Sequence, residues 1–233
     1  MNRRQFVNYT GSFMSLGTGG LRADFGKMQN IMQAPSTIKI KNADLNFERE
    51  PLHPYRFKGS AITEAWQVAA LLESENGTRA IGLGGQSVLW SDAKVFAQHS
   101  VNGGNALMFA MTERALQMMK GSSFTNPHEL LDRLLPEIFE YGKKITGNPD
   151  LRKTFALNAL VCVDNAAWIM YARENKIKNF DDMIPAAYKP GLSFRHEKVA
   201  SMPSFSAGTD IAKIKKAADE GYFIMKLKIG SAG

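Results

Sequence analysis

Apolar and polar residues alternate from Thr37 to Phe47, with Ile38, Ile40, Ala43, Leu45 and Phe47 set against Lys39, Lys41, Asp44 and Asn46. A period of two predicts a strand, with a register break near Asn42 and Ala43 where the alternation skips. Two prolines and a glycine within Glu50 to Gly59 predict a loop. Ile62 to Glu75 then reads as a second strand, Asn76-Gly77 as a type I′ hairpin turn and Thr78 to Leu83 as a third strand. Beyond this point the period changes to that of helices. Ser91 to Ala97 is short, and Ala106 to Met119 is apolar and rich in core-filling methionine. Pro127 to Ile145 is amphipathic, begins after Asn126 and contains Pro136. Leu151 to Glu174 is apolar on nearly every side, which predicts burial on several sides. Strands first and helices after predict an α+β unit built on a three-stranded antiparallel meander.

The pattern changes once more near the end. Val199 to Met202 predicts a short strand closed by Pro203, and Ser204 to Gly208 a loop. Thr209 is the expected N-cap of a helix with Asp210 in its first turn and an apolar stripe of Ile211, Ile214 and Ala218. Gly221 stops that helix, and a strand follows from Tyr222 to Ile229. Strand, helix and strand in this order predict a parallel βαβ unit with a right-handed crossover. On the last strand Met225, Leu227 and Ile229 share one face, and Ile224, Lys226 and Lys228 share the other. In a barrel the lysine face points into the mouth of the cavity, where barrel chemistry is done. Two crowded ammonium groups ease each other's deprotonation, and burial adds to the effect. A lysine tuned in this way is a base for a carbon acid. On an edge strand a Lys-x-Lys pair has the plainer use of discouraging association.

These residues resemble the mandelate racemase/muconate lactonizing branch of the enolase superfamily. The run from Pro203-Ser204-Phe205-Ser206-Ala207-Gly208 to Met225-Lys226-Leu227-Lys228-Ile229-Gly230 is similar to that family's first barrel strand, first helix and second barrel strand with its K-x-K motif. Ala156 to Trp168 resembles the family's A-x-x-A-x-D-x-A-x-W helix, with Asp164 as its acid. Ala80-Ile81-Gly82-Leu83-Gly84-Gly85 resembles its G-x-G-E turn, with Gly85 in place of the glutamate. The resemblance spans roughly residues 36 to 233. It implies a capping domain over 36–190 and the start of a TIM-like (β/α) barrel over 196–233. A nucleotide-binding reading of the same glycines fails, because Ser87 replaces the third glycine and no Walker lysine follows.

Composition changes this picture little. The chain has 233 residues and a formal net charge of +7, which suits anionic partners in general. The charges are spread along the chain and do not interleave with aromatics, so a nucleic-acid surface is not expected. The single cysteine, Cys162, lies in the apolar helix and reads as a core thiol. None of the four histidines shows H-x-x-x-H spacing. Asn2-Arg3-Arg4-Gln5-Phe6-Val7, followed by a weakly apolar stretch to Leu21, resembles a twin-arginine export signal within residues 1–30. That stretch is too polar for a membrane span, so the expectation is a periplasmic protein, with a cytoplasmic one as the alternative. A carboxylate in a helix as apolar as that of Asp164 needs a partner, and a structural bond to a backbone group or a base is expected.

The resemblance also implies chemistry. A divalent metal, usually Mg²⁺, would bind the substrate carboxylate and stabilise an enediolate. Lys228 would move the α-proton, and Lys226 would lower the pKa of Lys228 and help to hold the carboxylate. The loop from Leu52 to Lys58 corresponds to the family's capping loop. Tyr55, Arg56 and Phe57 are its candidate substrate contacts, with Arg56 suited to a carboxylate. Ser204 is a further candidate at the barrel mouth, and Gln86 to Trp90 a second specificity loop. The metal ligands and the second acid/base are expected beyond Gly233, which makes the sequence a partial one, inactive by itself. The expected substrate is a small carboxylate, with a dipeptide of the Ala-Glu type foremost, handled by a racemase or epimerase that is a homo-oligomer at full length. Acid-sugar dehydration, cycloisomerisation and a non-catalytic periplasmic anion-binding domain are the alternatives.

Overall fold

Alternation builds the sheet as expected, over longer strands. The computed structural model describes residues 36–57, 60–192, 194–206 and 208–227, and for 53–57, 60 and 61 the backbone alone. Strands β1 (Ile38–Phe57), β2 (Ser60–Ser74) and β3 (Arg79–Gln86) form an antiparallel meander. A two-residue strand not foreseen from the sequence, β4 (Ser123–Phe124), pairs on the other side of β1, giving the order β3-β2-β1-β4. The break in β1 lies between Ile40 and Asn42, slightly earlier than expected. It shifts the inward parity, so that Ile38, Ile40 and Ala43 are all buried.

The expected loop at Glu50 to Gly59 is largely a β-ribbon. Tyr55 pairs with Ile62, Arg56 with Ala61 and Phe57 with Ser60. The two prolines do not end the strand because the register slips between Pro51 and Tyr55, leaving Leu52, His53 and Pro54 opposite Thr63. A proline lacks an N–H, and a bulge is where that loss costs least. The β2–β3 connection also differs from the expected type I′ turn. Gly77 has φ +81° but Asn76 does not share the left-handed region. Gly77 N–H donates to Ser74 O at 3.0 Å and Ser74 N–H to Thr78 O at 2.9 Å, the pattern of a three-residue loop ending in a left-handed glycine. Glu174 fastens this loop, accepting from Ser74 Oγ at 2.5 Å and Asn76 Nδ2 at 3.0 Å. Burial pushes the Glu174 carboxyl up, but bonds from Ser74, Asn76 and Thr78 together hold it below the ordinary range.

Helices cover one face of the sheet. They are α1 (Val88–Ser91), α2 (Ala93–Met119), α3 (Pro127–Thr146) and α4 (Lys153–Glu174). The expected short helix at Ser91 to Ala97 is instead the opening of α2. Asp92 caps it by accepting from Lys94 N–H and Val95 N–H, and Ser100 (φ 64°) breaks it before it resumes. Helix α3 begins after the Asn126 cap and ends at Gly147 (φ 62°). Met108 and Met111 of α2, Ile138 of α3 and Phe155, Ala159 and Ala166 of α4 fill the core against Val68, Ala70 and Leu72 of β2. Among the described residues α4 is the one helix long and apolar enough to cross a membrane, and half of that apolar window is buried inside the protein.

Helix α4 also closes the sheet. Strand β3 is an edge, with carbonyls open to another strand. Asn158 Nδ2 donates to Gly85 O and Asn165 Nδ2 to Leu83 O, both at 2.8 Å, and the Arg173 guanidinium donates to Arg79 O. Three side chains on one face of the helix thus satisfy edge carbonyls where a fifth strand would pair. The expected G-x-G turn is strand throughout. Its glycines let two backbones touch, since a Cβ on Gly82 would lie 2.1 Å from Cys162 O and 2.2 Å from Ala166 N. Cys162 is fully buried here, and burial pushes its thiol up to about 11.

After α4 come two single-turn helices not foreseen from the sequence, α5 (Phe180–Met183) and α6 (Lys189–Leu192). The βαβ unit follows as β5 (Ser204–Phe205), α7 (Ile211–Asp219) and β6 (Lys226–Leu227). Its strands are parallel, as expected. Their bounds are not as expected. Val199 to Met202 is not strand, and pairing starts after Pro203, whose carbonyl accepts Lys226 N–H at 3.0 Å. A proline cannot donate to a ladder but can accept. The helix cap is Asp210, accepting from Ala212 N–H, in place of Thr209. Ala217 is buried in α7 and Ile214 partly so, whereas Ile211 (79% exposed) and Ala218 face outward. Strand β6 covers two residues of the expected Tyr222–Ile229, with Tyr222 to Met225 outside any strand and residues from Lys228 on outside the described residues.

Candidate functional site

Two places bring predicted site residues together. The first is the βαβ unit. Ser204 and Lys226 are direct partners across the parallel pair, so they share a face, and both are exposed. Phe205 and Leu227 pair on the opposite face. Lys228 lies outside the described residues.

The second is a cavity of about 410 Å³ at the end of the meander. Leu52, Ile62 and Glu64 from the β1–β2 ribbon line one side, and Gln86, Leu89 and Trp90 the other. Leu52, the first residue of the expected capping loop, and Gln86 to Trp90, the expected second specificity loop, therefore line one space. The ribbon carries Tyr55, Arg56 and Phe57 beyond Leu52, with backbone partners as given above; their side chains lie outside the description.

The 86–91 wall is held from behind. Asn158 Oδ1 accepts Ser87 N–H at 2.9 Å, and Asn105 Oδ1 accepts Val88 N–H at 2.9 Å. These asparagines satisfy the start of α1, where the Ser87 side chain makes no cap bond. Gly104 lets α2 press on this wall, since a Cβ there would lie 2.4 Å from Val88 Cγ2. On the ribbon wall Trp66 stacks on Phe47 with centroids 4.7 Å apart, and its Nε1–H donates to Glu64 Oε1 at 3.1 Å. Glu64 also lies 3.8 Å from Arg49. Sequence reasoning missed Glu64, Trp66, Asn105 and Asn158. The spacing of Asn158, Asn165 and Arg173, seven and then eight residues, was the visible sign of one polar helix face.

Asp164 does not join either place. Its half-buried carboxyl meets the Trp168 indole one turn along α4 and the His128 ring from α3, the structural pairing with a base expected of it. The His128 and Trp168 rings are 5.0 Å apart and nearly perpendicular. Burial raises its pKa above the ordinary 3.8, with His128 and Trp168 opposing the rise. A raised folded-state pKa means that the native state holds the proton better than the unfolded chain. Stability is therefore lost as pH climbs from 3.8 through the raised value. Asp164→Asn is expected to stabilise the protein at pH 7, with the gain vanishing below pH 3.8. Urea titrations of both proteins across that range check this; a gain independent of pH would contradict it.

Among the described residues no three His, Cys, Asp or Glu side chains converge as a metal site.

No family model and no curated protein matches the sequence. Solved structures do. A member of the enolase superfamily from Listeria innocua aligns with TM-score 0.53 at 16% identity, over 83% of this chain and 45% of that one. A mandelate racemase/muconate lactonizing enzyme-like protein from Rubrobacter xylanophilus aligns with TM-score 0.51 at 16% identity, over 83% and 46%. The L-Ala-D/L-Glu epimerase from Bacillus subtilis, in a substrate-liganded complex, aligns with TM-score 0.50 at 13% identity, over 84% and 46%. The chain spans somewhat under half the length of these structures. What it shares with them, at 13–16% identity, is the fold: an antiparallel sheet covered by helices and followed by a parallel βαβ unit.

Proposed function

We propose that the full-length protein is a racemase or epimerase acting on a carbon next to a carboxylate, through an enediolate, with dipeptides of the Ala-Glu type as substrates. The observation that supports this reading is the register of Ser204 with Lys226, both exposed on one face of a parallel pair. Neutral Lys228, two residues on, takes the α-proton; the C–H electron pair passes into the carboxylate, and return of a proton to the other face inverts the centre. The Lys226 charge keeps Lys228 easy to deprotonate and pairs with the carboxylate. Ser204 donates to the substrate beside it. Mg²⁺ belongs to this proposal as the cofactor of the resembled family, and its ligands are not among the described residues.

The dipeptide form of the reading draws on the Bacillus subtilis neighbour by analogy of fold. It also draws on the proposal that residues 1–30, which lie outside the described residues, direct export to the periplasm, where wall peptides are met. The test is solvent exchange. Full-length protein in D₂O with magnesium and L-Ala-L-Glu is expected to place deuterium at the glutamyl α-carbon. Absence of exchange with this and with other dipeptides would end the dipeptide reading, and absence with every α-carbon carboxylate would end the proposal.

A further inference from the structure

A further cavity, of about 510 Å³, lies where the start of α3, the middle of α4 and the segment carrying α5 and α6 meet. It shares no lining residue with the ribbon cavity. Four rings line it, those of His128, Trp168, Phe180 and Tyr188, with Met183 and Ile184 beside them. The rings form a corner and not a stack. His128 stands at 83° to Trp168 with centroids 5.0 Å apart, and at 51° to Tyr188 with centroids 5.5 Å apart. Phe180 (70% exposed) and Tyr188 (54% exposed) gather their open apolar area at this one cavity, the arrangement that marks a binding surface. No Lys, Arg, Asp or Glu is among the lining residues. A carboxyl stands behind two of the rings instead. Asp164 is held by a bond from the Trp168 indole and by the nearness of His128. Burial penalises its charged form, and among the described residues no Lys or Arg pairs with it. Of the charged residues on α5 and α6, Asp181 pairs with Arg195, Asp182 accepts from Asn179, and Lys189 is exposed.

We infer that this cavity binds a small organic cation with an alkylated ammonium head, held among the His128, Trp168, Phe180 and Tyr188 rings with the Asp164 carboxylate as its counter-charge. The face of an aromatic ring carries negative potential, and a carboxylate on the indole N–H deepens it by polarising the ring. Alkyl groups spread the charge of the nitrogen and pack on rings as hydrocarbon does. A bare ammonium or a metal ion would find too few hydrogen-bonding or ligating atoms in a lining this apolar. An anion would meet the field of Asp164. The bound cation offsets the cost of the Asp164 charge, which no Lys or Arg here does. The volume falls within the range of small-molecule sites, roughly 300–1,000 Å³, so it takes the head together with part of a larger body. The binding does not rest on the reaction proposed above.

The test titrates the full chain at pH 8 with choline and with 3,3-dimethylbutan-1-ol, which has the same shape with carbon in place of the charged nitrogen. Calorimetry and ligand-observed NMR read the binding. Choline is expected to bind roughly three- to thirtyfold more tightly than the alcohol, the worth of a cation on aromatic faces. Phe180→Leu combined with Tyr188→Leu, at two exposed positions where folding is spared, is expected to bring choline down to the level of the alcohol. Asp164→Asn, which relieves a buried charge and so keeps the fold, is expected to weaken choline and leave the alcohol unchanged. Equal affinities in the parent protein overturn the inference, as does binding of neither probe. So do a choline preference that survives the loss of both rings and a choline affinity untouched by Asp164→Asn.

Discussion

Gly82→Ala is expected to destabilise the chain by about 3 kcal/mol or more, the upper end of what overpacking a core costs. The added methyl would meet Cys162 O at 2.1 Å, Ala166 N at 2.2 Å and Ala166 Cα at 2.8 Å, all main-chain atoms of α4. A side chain can turn away from a clash; a helix backbone cannot without leaving the strand it covers. Moving α4 would also pull Asn158 and Asn165 off the edge carbonyls of β3. Two neighbouring glycines make the comparison. Gly84→Ala is expected to cost less, because its closest contact is Cys162 N at 2.9 Å and the next is a movable Val161 methyl. Gly85→Ala meets Gln67 Oε1 at 3.9 Å and nothing nearer, so it is expected to stay within about 0.5 kcal/mol of the parent. Denaturant titration of the three variants checks the order. Equal stabilities for Gly82→Ala and Gly85→Ala would mean that helix and strand do not approach as closely as described.

The second large effect is chemical. Lys228→Ala in full-length protein is expected to slow exchange of the substrate α-proton by about 10²–10⁴-fold, the usual worth of a positioned base. The loss is expected for the enantiomer whose proton faces this lysine. Lys226→Ala should retain the base but remove the charge beside it. Its rate profile is then expected to move to higher pH, because Lys228 without a cationic neighbour gives up its proton less readily. Undiminished exchange of both enantiomers in Lys228→Ala would remove that residue from the mechanism, and an unmoved profile in Lys226→Ala would reduce Lys226 to a surface charge.

The long helix shows how far local pattern carries. Its apolar residues on nearly every side predict burial on several sides over Leu151 to Glu174; α4 buries a run from Phe155 to Met170 but leaves Leu157 and Val161 exposed. The same stretch gives no hint that Asn158, Asn165 and Arg173 serve the edge of a strand some eighty residues earlier, since a polar residue reads as solvent-facing until its partner is placed. The ribbon from Glu50 onward is the reverse case. Pro51 and Pro54 are local signals for a loop, and the pairing with β2 overrides them by placing the irregularity of the ladder there. In the βαβ unit the order of elements was legible, while its strand bounds and helix cap were not, because a two-residue strand is set by its partner more than by its own alternation.

Taken alone, the sequence determined the meander, the order of the long helices, the parallel βαβ unit and the lysine pair, all of which follow from periods of two and 3.6 and from where glycine stops a helix. Tertiary structure decided what those periods do not encode. The closeness of Gly82 to α4, the capped edge of β3 and the meeting of the ribbon with Gln86 to Trp90 each depend on residues far apart in the chain. The unpartnered oxygen of Gln86 is the clearest instance, since a glutamine is left with a buried free acceptor only when Thr112 has claimed its nitrogen and distant elements have packed around it.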